Sequence, residues 1–377
     1  MIEKSLARPG AVTVLIGPNG AGKSRLLRGL CTDLLHRGRD VLAISPTIFD
    51  RFKYMPRKGF KFYGARQGRR AATMVFRAAL EKAFSENPQV LKNLSRALEY
   101  TEFEPFIGIG LSKLDWENLD LAVEGMSSRD KEEIRAALMK WRVRADNHGV
   151  VRLSMTSFSF EEMDSLTFAA LAKYDDFLYR TKTTSRIAYF LYRNGQPIPL
   201  EEACSGEIAF ITSVAFISAH IGPKTVIAID EPDTSLHPTW QQSYVRTLLD
   251  LFHLYQPSIV LSTHSPIIVS GTEAAHGKLS VYEVRNGAAR RFDHLGLSLE
   301  EMYDRLFGLI TPKNHYLSQR AVSLLNSLSD ENQSLDDVLR DLGALKSKSY
   351  EESQIEVIAK FESLARKLDR LRNGRQL

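Results

Sequence analysis

Cysteine is scarce. The 377 residues contain only Cys31 and Cys204. The two are far apart, with no second Cys or His at ligand spacing, which excludes a disulfide framework and a zinc site. No apolar run approaches the ~18 to 20 residues that a membrane span requires, so a membrane-embedded protein is excluded and no membrane partner is expected. Met1 to Gly10 lacks an apolar stretch ahead of a small-residue cleavage site, so a cytoplasmic location is expected. Internal repeats and low-complexity tracts are also missing. Neither sign of charge dominates, with 50 Lys and Arg against 45 Asp and Glu. The net +5 permits nucleic-acid binding without requiring it. The apolar share of 44% and charged share of 25% are those of an ordinary globular protein. The length exceeds the ~250 to 300 residues at which one core stops growing, so one large domain with insertions, or two lobes, is expected.

Against that plain background, Ala11 to Ile16 is a short apolar, partly β-branched run suited to a buried parallel strand. It leads directly into Gly17-Pro18-Asn19-Gly20-Ala21-Gly22-Lys23-Ser24, a full P-loop, with Arg25 opening the helix Arg25 to Leu35. Glycines let the backbone curl so that its N–H groups and the helix N-terminus face phosphate oxygens. Lys23 adds a positive charge and Ser24 a hydroxyl for Mg2+. Asp40 to Ser45 offers a second strand.

Further on, Val226 to Asp230 is an apolar strand ending in Asp230-Glu231-Pro232. Asp230 is placed to hold Mg2+ through water and Glu231 to polarise an attacking water. The run Asp233-Thr234-Ser235-Leu236-His237-Pro238 follows, then a strand Ile259 to Thr263 that ends at His264-Ser265-Pro266. A histidine after that strand can reach the γ-phosphate edge of the site.

These motifs, in this order, resemble the ABC ATPase superfamily, in which Asp233 is the D-loop aspartate and His264 the switch histidine. Asp-Glu-Pro-Asp-Thr-Ser-Leu-His-Pro and Ser-Thr-His-Ser-Pro look like the soluble branch that contains RecF, the overcoming-lysogenisation-defect proteins and the ATPases of anti-phage systems such as Septu, PARIS and certain retrons. Ala203-Cys204-Ser205-Gly206-Glu207 occupies the place of the family's Leu-Ser-Gly-Gly-Glu signature and opens a nearly all-apolar helix, Ile208 to Ala219. Aligned on Gly206 and Glu207, the family's serine falls on Cys204 while the serine present is Ser205, and the contact is left open between them. On its own, Ser-Gly-Glu is also a helix cap.

The resemblance implies an α/β ABC-type P-loop head that sandwiches two ATP molecules, with Mg2+, in a head-to-tail homodimer or higher oligomer. It implies a nucleotide set of Gly17, Asn19, Gly20, Ala21, Gly22, Lys23, Ser24, Arg25, Cys204, Ser205, Gly206, Glu207 and Asp233. The metal falls to Ser24 and Asp230, and the chemistry to Lys23, Glu231 and His264. Gln67 is the one glutamine weighed for the Q-loop, and nothing in its context marks it.

The expected divisions are residues 1–50 and 185–296 for the head, 51–184 for a basic segment and helical insertion, and 297–377 for a helical C-terminal region. A long coiled coil is ruled out. Helices are expected over Arg129 to Arg144 and Phe160 to Tyr179, with a strand over Arg186 to Tyr192 that turns at Asn194-Gly195. A further strand over Lys278 to Val284 turns at Asn286-Gly287. Arg51 to Arg77 carries nine Lys and Arg and no acid, interleaved with Phe52, Tyr54, Phe60, Phe62 and Tyr63. It is either a grip on DNA or RNA or a solvated loop whose aromatics pack inward. The stripe Ile355, Ile358, Phe361, Ala365, Leu368 and Leu371 on the last helix is a packing face or a partner site.

No strand followed by a Glu and then Asp-x-Asp occurs in the last eighty or so residues, so a TOPRIM nuclease is not expected here. The reading that follows is an ATPase that regulates a separate effector, a nuclease, in anti-phage defence. The alternatives are a RecF-like DNA-repair clamp and the nucleotide-binding subunit of a transporter.

Overall fold

The computed structural model describes residues 8–47, 55, 57–64, 68–156, 162–275, 279–308, 315–330, 333–347 and 352–373. In chain order, β1 (Val12–Ile16), α1 (Lys23–His36), β2 (Asp40–Ser45) and β3 (Phe60–Gly64) come first. Next are α2 (Arg69–Ser85), α3 (Gln89–Tyr100), β4 (Phe106–Gly110), α4 (Trp116–Ala122), α5 (Ser128–Arg144), β5 (Val150–Ser154) and α6 (Glu162–Arg180). Then follow β6 (Ala188–Arg193), β7 (Gln196–Pro199), α7 (Ser205–His220), β8 (Thr225–Asp230), α8 (Pro238–Leu251), β9 (Ser258–Thr263) and α9 (Pro266–Ala275). The last group is β10 (Leu279–Arg285), β11 (Ala288–Arg291), α10 (Leu299–Phe307), α11 (His315–Ser329), α12 (Leu335–Ser347) and α13 (Glu352–Asn373). The chain forms two compact units, Met1–Leu15 with Gly22–Ser280, and Ile16–Ala21 with Val281–Leu377.

In the first unit five strands run in the order β1-β9-β8-β2-β3, and the β8–β9, β8–β2 and β2–β3 pairs are parallel. Strands β1, β8 and β9 are buried along their whole length. That suits their unbroken apolar runs, because a parallel sheet is covered on both faces. The β8–β9 register sets Asp230 opposite Ser262, so the carboxyl ends of neighbouring strands bring the acidic run beside Ser262-Thr263-His264. Helix α7 is buried almost all round, with Phe210 against Tyr100 and Tyr244 at ring-centre separations of 4.4 and 5.8 Å. An all-apolar helix is the kind that a core encloses rather than one that lies on a surface.

Residues 51–184 are not wholly helical, which corrects the expected helical insertion. They hold β3 of the main sheet together with β4 and β5, which join β6 and β7 in a four-stranded antiparallel sheet of order β5-β4-β6-β7. Helices α2, α3, α5 and α6 close over it around Phe76, Leu94, Ile107, Leu138, Leu171 and Leu191. The β6–β7 turn falls at Asn194 and Gly195, both at positive φ (52° and 73°), as a two-residue hairpin requires.

In the second unit β10 and β11 pair antiparallel about Asn286 and Gly287, again both at positive φ. Helix α10 opens with a capping box, in which the Ser298 hydroxyl accepts the Glu301 N–H while the Glu301 carboxylate accepts the Ser298 N–H. Helices α11 to α13 pack around Leu324, Val338, Leu342, Ile358 and Ala365, with Phe361 and Leu368 alongside. The α13 stripe is therefore chiefly a packing face, and Leu371 is a position whose side chain lies outside the described residues. Among the described residues no helix is long and apolar enough to cross a membrane.

Candidate functional site

The loop before α1 divides between the units. Gly17 to Ala21 belong to the second and Gly22, Lys23, Ser24 and Arg25 to the first. In the second unit a Cβ on Gly17 would lie 2.5 Å from the Val284 carbonyl oxygen, a backbone atom that cannot step aside, so only glycine fits there. The Ala21 N–H donates to the Pro18 carbonyl at 3.2 Å, and the Gly287 N–H donates to the Ala21 carbonyl at 2.8 Å. Gly20 has φ 81° and Asn19 precedes it in the same tight loop.

In the first unit Gly22, at φ 96°, caps α1, whose first turn holds no acidic residue. The N–H groups that open a helix carry partial positive charge and bind anions. Lys23 is buried, and its Nζ lies 3.8 Å from Glu231 Oε1. Burial pushes its pKa below the ordinary lysine value, against the opposing pull of Glu231, Asp233 and Asp230. Asp230 is buried too and accepts hydrogen bonds from the Ser262 and Ser24 hydroxyls. Burial raises its pKa, helped by the Glu231 charge and resisted by those two hydroxyls and Lys23.

The backbone at Glu231 turns through the left-handed region, φ 52° and ψ 57°, with its N–H donating to the Ser262 carbonyl at 2.9 Å. That turn ends β8 and starts the short 3-10 segment Pro232–Ser235. Asp233, within it, is buried and held at both oxygens, by the Thr263 hydroxyl on Oδ1 at 2.7 Å and by His264 Nδ1 on Oδ2 at 2.9 Å. Burial would raise the Asp233 pKa, but its bonds to His264 and Thr263 outweigh that and lower it. The bond to Asp233 raises the His264 pKa above 6.5, against partial burial.

The signs define a pH window for this pair. The Asp233 contribution, from a carboxyl depressed below 3.8, is present above that value and lost as the pH falls through its native pKa. The His264 contribution is complete below 6.5 and lost as the pH rises through its elevated pKa. An NMR titration of His264 is expected to give a midpoint above 6.5 that drops in Asp233→Asn. A midpoint at or below 6.5 in the unmodified chain would rule out the pairing.

Sequence reasoning missed Gln241 on α8. Its amide donates to the Asp233 and Leu236 carbonyls at 3.3 and 2.9 Å and accepts the Ser265 hydroxyl at 2.7 Å. It thereby ties the segment after β8 to the one after β9. Nothing local marks it, because its partners lie on two other elements.

At the start of α7 Cys204 and Ser205 are exposed, while Gly206 and Glu207 are buried. Cys204 is the N-cap and Ser205 the first helical residue, and the Glu207 carboxylate accepts the Cys204 N–H at 2.9 Å. A Cβ on Gly206 would sit 2.2 Å from the Ser235 carbonyl oxygen, so this helix start lies directly against the Pro232–Ser235 segment.

In the basic segment, Gln67, Arg51, Phe52, Lys53, Tyr54 and Arg66 lie outside the described residues, and so do the side chains of Arg69 and Arg70. Of the rest, Phe60 and Tyr63 are buried in β3, and Tyr63 donates its hydroxyl to Thr212 at 2.9 Å. Arg77 is paired with Glu81 and Asp175 inside the molecule. For these residues the inward-packed alternative holds, and Phe60 and Tyr63 cannot stack on bases.

A buried lysine at a helix start, beside a carboxylate and a hydroxyl at the end of a neighbouring strand, is the donor set of a nucleotide-phosphate and divalent-cation site. The fold and this set define a P-loop nucleotide-binding protein. Residues 79–270, just over half of the chain, match the family described as "AAA domain, putative AbiEii toxin, Type IV TA system", and the chain belongs to that family. The match takes in Cys204 to Glu207, Asp230 to Asp233 and His264, and begins after the P-loop. A stretch of 98 residues is 31% identical to the "Retron Vc95 probable ATPase" of Vibrio cholerae serotype O1 biovar El Tor, over 23% of this chain and 19% of that protein. Another, of 78 residues, is 30% identical to protein ea59 of Escherichia phage lambda, over 21% of this chain and 15% of that protein. The chain thus matches less than a fifth of the length of either curated relative. Among solved structures, "an inward-facing conformation of a putative metal-chelate type ABC transporter" aligns over 82% of this chain and 84% of that one, at TM-score 0.32 and 13% identity.

Proposed function

We propose that this chain is an ABC-class ATPase that closes around two ATP molecules with a second copy of itself and regulates a separate effector, a nuclease, in anti-phage defence. The carrying observation is the convergence of Lys23, Ser24, Asp230, Glu231, Asp233 and His264 at the carboxyl ends of β8 and β9 and the start of α1, with Lys23 and Glu231 3.8 Å apart and His264 on Asp233 at 2.9 Å. In this reading residues 1–50 and 185–296 make the head, 51–184 the insertion and 297–377 the C-terminal region.

Each side chain has a task set by its surroundings. Lys23 and the N–H groups opening α1 take up negative charge of the phosphates. Ser24 and Asp230 offer hard oxygen ligands, and Mg2+, when bound, neutralises charge developing on the transferred phosphoryl group. Glu231, left partly exposed by its turned backbone, accepts a proton from the attacking water and orients it. Asp233 fixes the His264 ring so that its other nitrogen faces the terminal phosphate, donating a hydrogen bond. Cys204 to Glu207, at an exposed helix start, meets the nucleotide held by the partner copy. The likeness to a retron's probable ATPase supports the defence role.

Mass photometry of the chain expressed with its neighbouring genes, with ATP, with ADP and for Glu231→Gln, is the test. A complex that contains a nuclease is the expected result. A bare ATP-dependent dimer that binds gapped DNA would replace this reading with the repair clamp.

A further inference from the structure

Strand β6 of the four-stranded antiparallel sheet ends in Arg193, which the ATPase chemistry does not employ. Its Nη2 donates to Glu207 Oε1 at 2.7 Å and to the Thr101 carbonyl at 3.1 Å, and its Nε to the Glu102 carbonyl at 3.4 Å. The guanidinium carbon lies 4.1 Å from the centre of the Phe103 ring. The second oxygen of Glu207 accepts the Cys204 N–H. One side chain thus joins the loop after α3, the end of β6 and the cap of α7.

We infer that Arg193 is a positioning residue for the helix start Cys204 to Glu207, holding it in the pose that meets a partner copy's ATP. This inference rests on the dimeric reading above. Glu207 has only 9% of its side chain exposed, and a carboxylate so placed keeps one orientation only if its lone pairs are matched. Arg193 matches one oxygen and leaves the other for the cap. The planar guanidinium also bonds to Thr101 and Glu102 and packs on Phe103, a set of directions that a lysine ammonium cannot reproduce.

The far side of the same turn is fixed by Gly206 against the Ser235 carbonyl. Arg193 is thus the adjustable side of the clamp, and it is carried by the antiparallel sheet rather than by the parallel one. The rest of α7 does not depend on it, because Phe210 to Ala219 are buried in the core. Loss of Arg193 is therefore felt in the first turn, where Cys204 and Ser205 are exposed.

The test compares the unmodified chain with Arg193→Ala and Arg193→Lys in three measurements: affinity for a fluorescent ATP analogue, ATP-dependent dimerisation, and hydrolysis rate against protein concentration. The analogue is expected to bind both variants within about twofold of the unmodified chain, since the P-loop is untouched. Dimerisation of Arg193→Ala is expected to need about tenfold more protein, with Arg193→Lys nearer to Ala than to Arg. The hydrolysis rate per chain should fall at low protein concentration with KM for ATP unchanged and recover as protein is added, which a folding defect would not do. Dimerisation of Arg193→Ala at the unmodified concentration would overturn the inference while leaving the dimer reading standing. So would a parallel loss of analogue binding that added protein does not relieve, which would make Arg193 a residue of the fold. Failure of the unmodified chain to dimerise with ATP would instead remove the dimer reading, and this inference with it.

Discussion

Replacing Glu231 by glutamine is expected to lower kcat by about 100- to 10,000-fold, the range that a positioned general base contributes, while ATP binds at least as tightly as before. The two effects have separate causes. Glutamine keeps the shape of the side chain at the end of β8 but cannot accept a proton from water. It also removes a negative charge 3.8 Å from Lys23, in the place where the triphosphate brings more negative charge. Lys23 is then shared with one carboxylate fewer. The closed dimer should accumulate, visible by mass photometry as a species that persists after ATP is diluted. A single-turnover assay with labelled ATP is the direct check. Hydrolysis at an unchanged rate would remove Glu231 from its assigned place and leave the water to another group.

Replacing Lys23 by methionine is expected to weaken ATP binding by roughly 10- to 100-fold, equivalent to about 1.5–3 kcal/mol for a hydrogen bond to a charged group. The dimer should then fail to form at millimolar ATP. The same change is expected not to destabilise the free chain. Lys23 is buried, and desolvation disfavours its charge more than Glu231, Asp233 and Asp230 favour it, which is why its pKa is lowered. A lysine so placed costs the folded state part of its stability, a cost that an apolar side chain of similar length removes. Thermal denaturation should therefore show a melting temperature at or above that of the unmodified chain without ATP, and no rise on adding it. A large drop without nucleotide would mean that Lys23 holds the fold together rather than serving the ligand.

Much of the site was legible because it is local. The strand, loop and helix of residues 12–36 follow one another without a break, so a short buried apolar run, three glycines and a lysine suffice to place them. Asp230 ends a strand whose four preceding residues are all apolar, with Glu231 directly after it, and His264 follows a second strand that is apolar at Ile259 to Leu261. In each case the physical requirement, a buried parallel strand delivering its carboxyl end to a ligand, is written into adjacent residues.

The antiparallel sheet of the insertion was less visible. Phe106 to Gly110 alternates isoleucine with glycine, and glycine is depleted in strands because it adds backbone entropy and no packing surface. The glycines become intelligible only when Val150 and Phe190 are seen to lie where their side chains would stand. The basic segment is legible only as two alternatives. Its sequence admits both exposed and inward-packed aromatics, and β3 decides for Phe60 and Tyr63 by turning both rings into the interior.

The sequence by itself determined that a P-loop opens a parallel strand-and-helix unit, and which acids and histidine stand at the strand ends. Only the tertiary structure decided that Asp233 takes a hydrogen bond from Thr263 and pairs with His264, that Gln241 joins the two segments, and that Arg193 reaches from the end of β6 to Glu207 at the start of α7. Motifs are legible where the backbone conformation depends on neighbours in sequence. Pairings between distant residues depend on which strands lie side by side and in what register, and that order is settled by the burial of whole elements rather than by any residue within them.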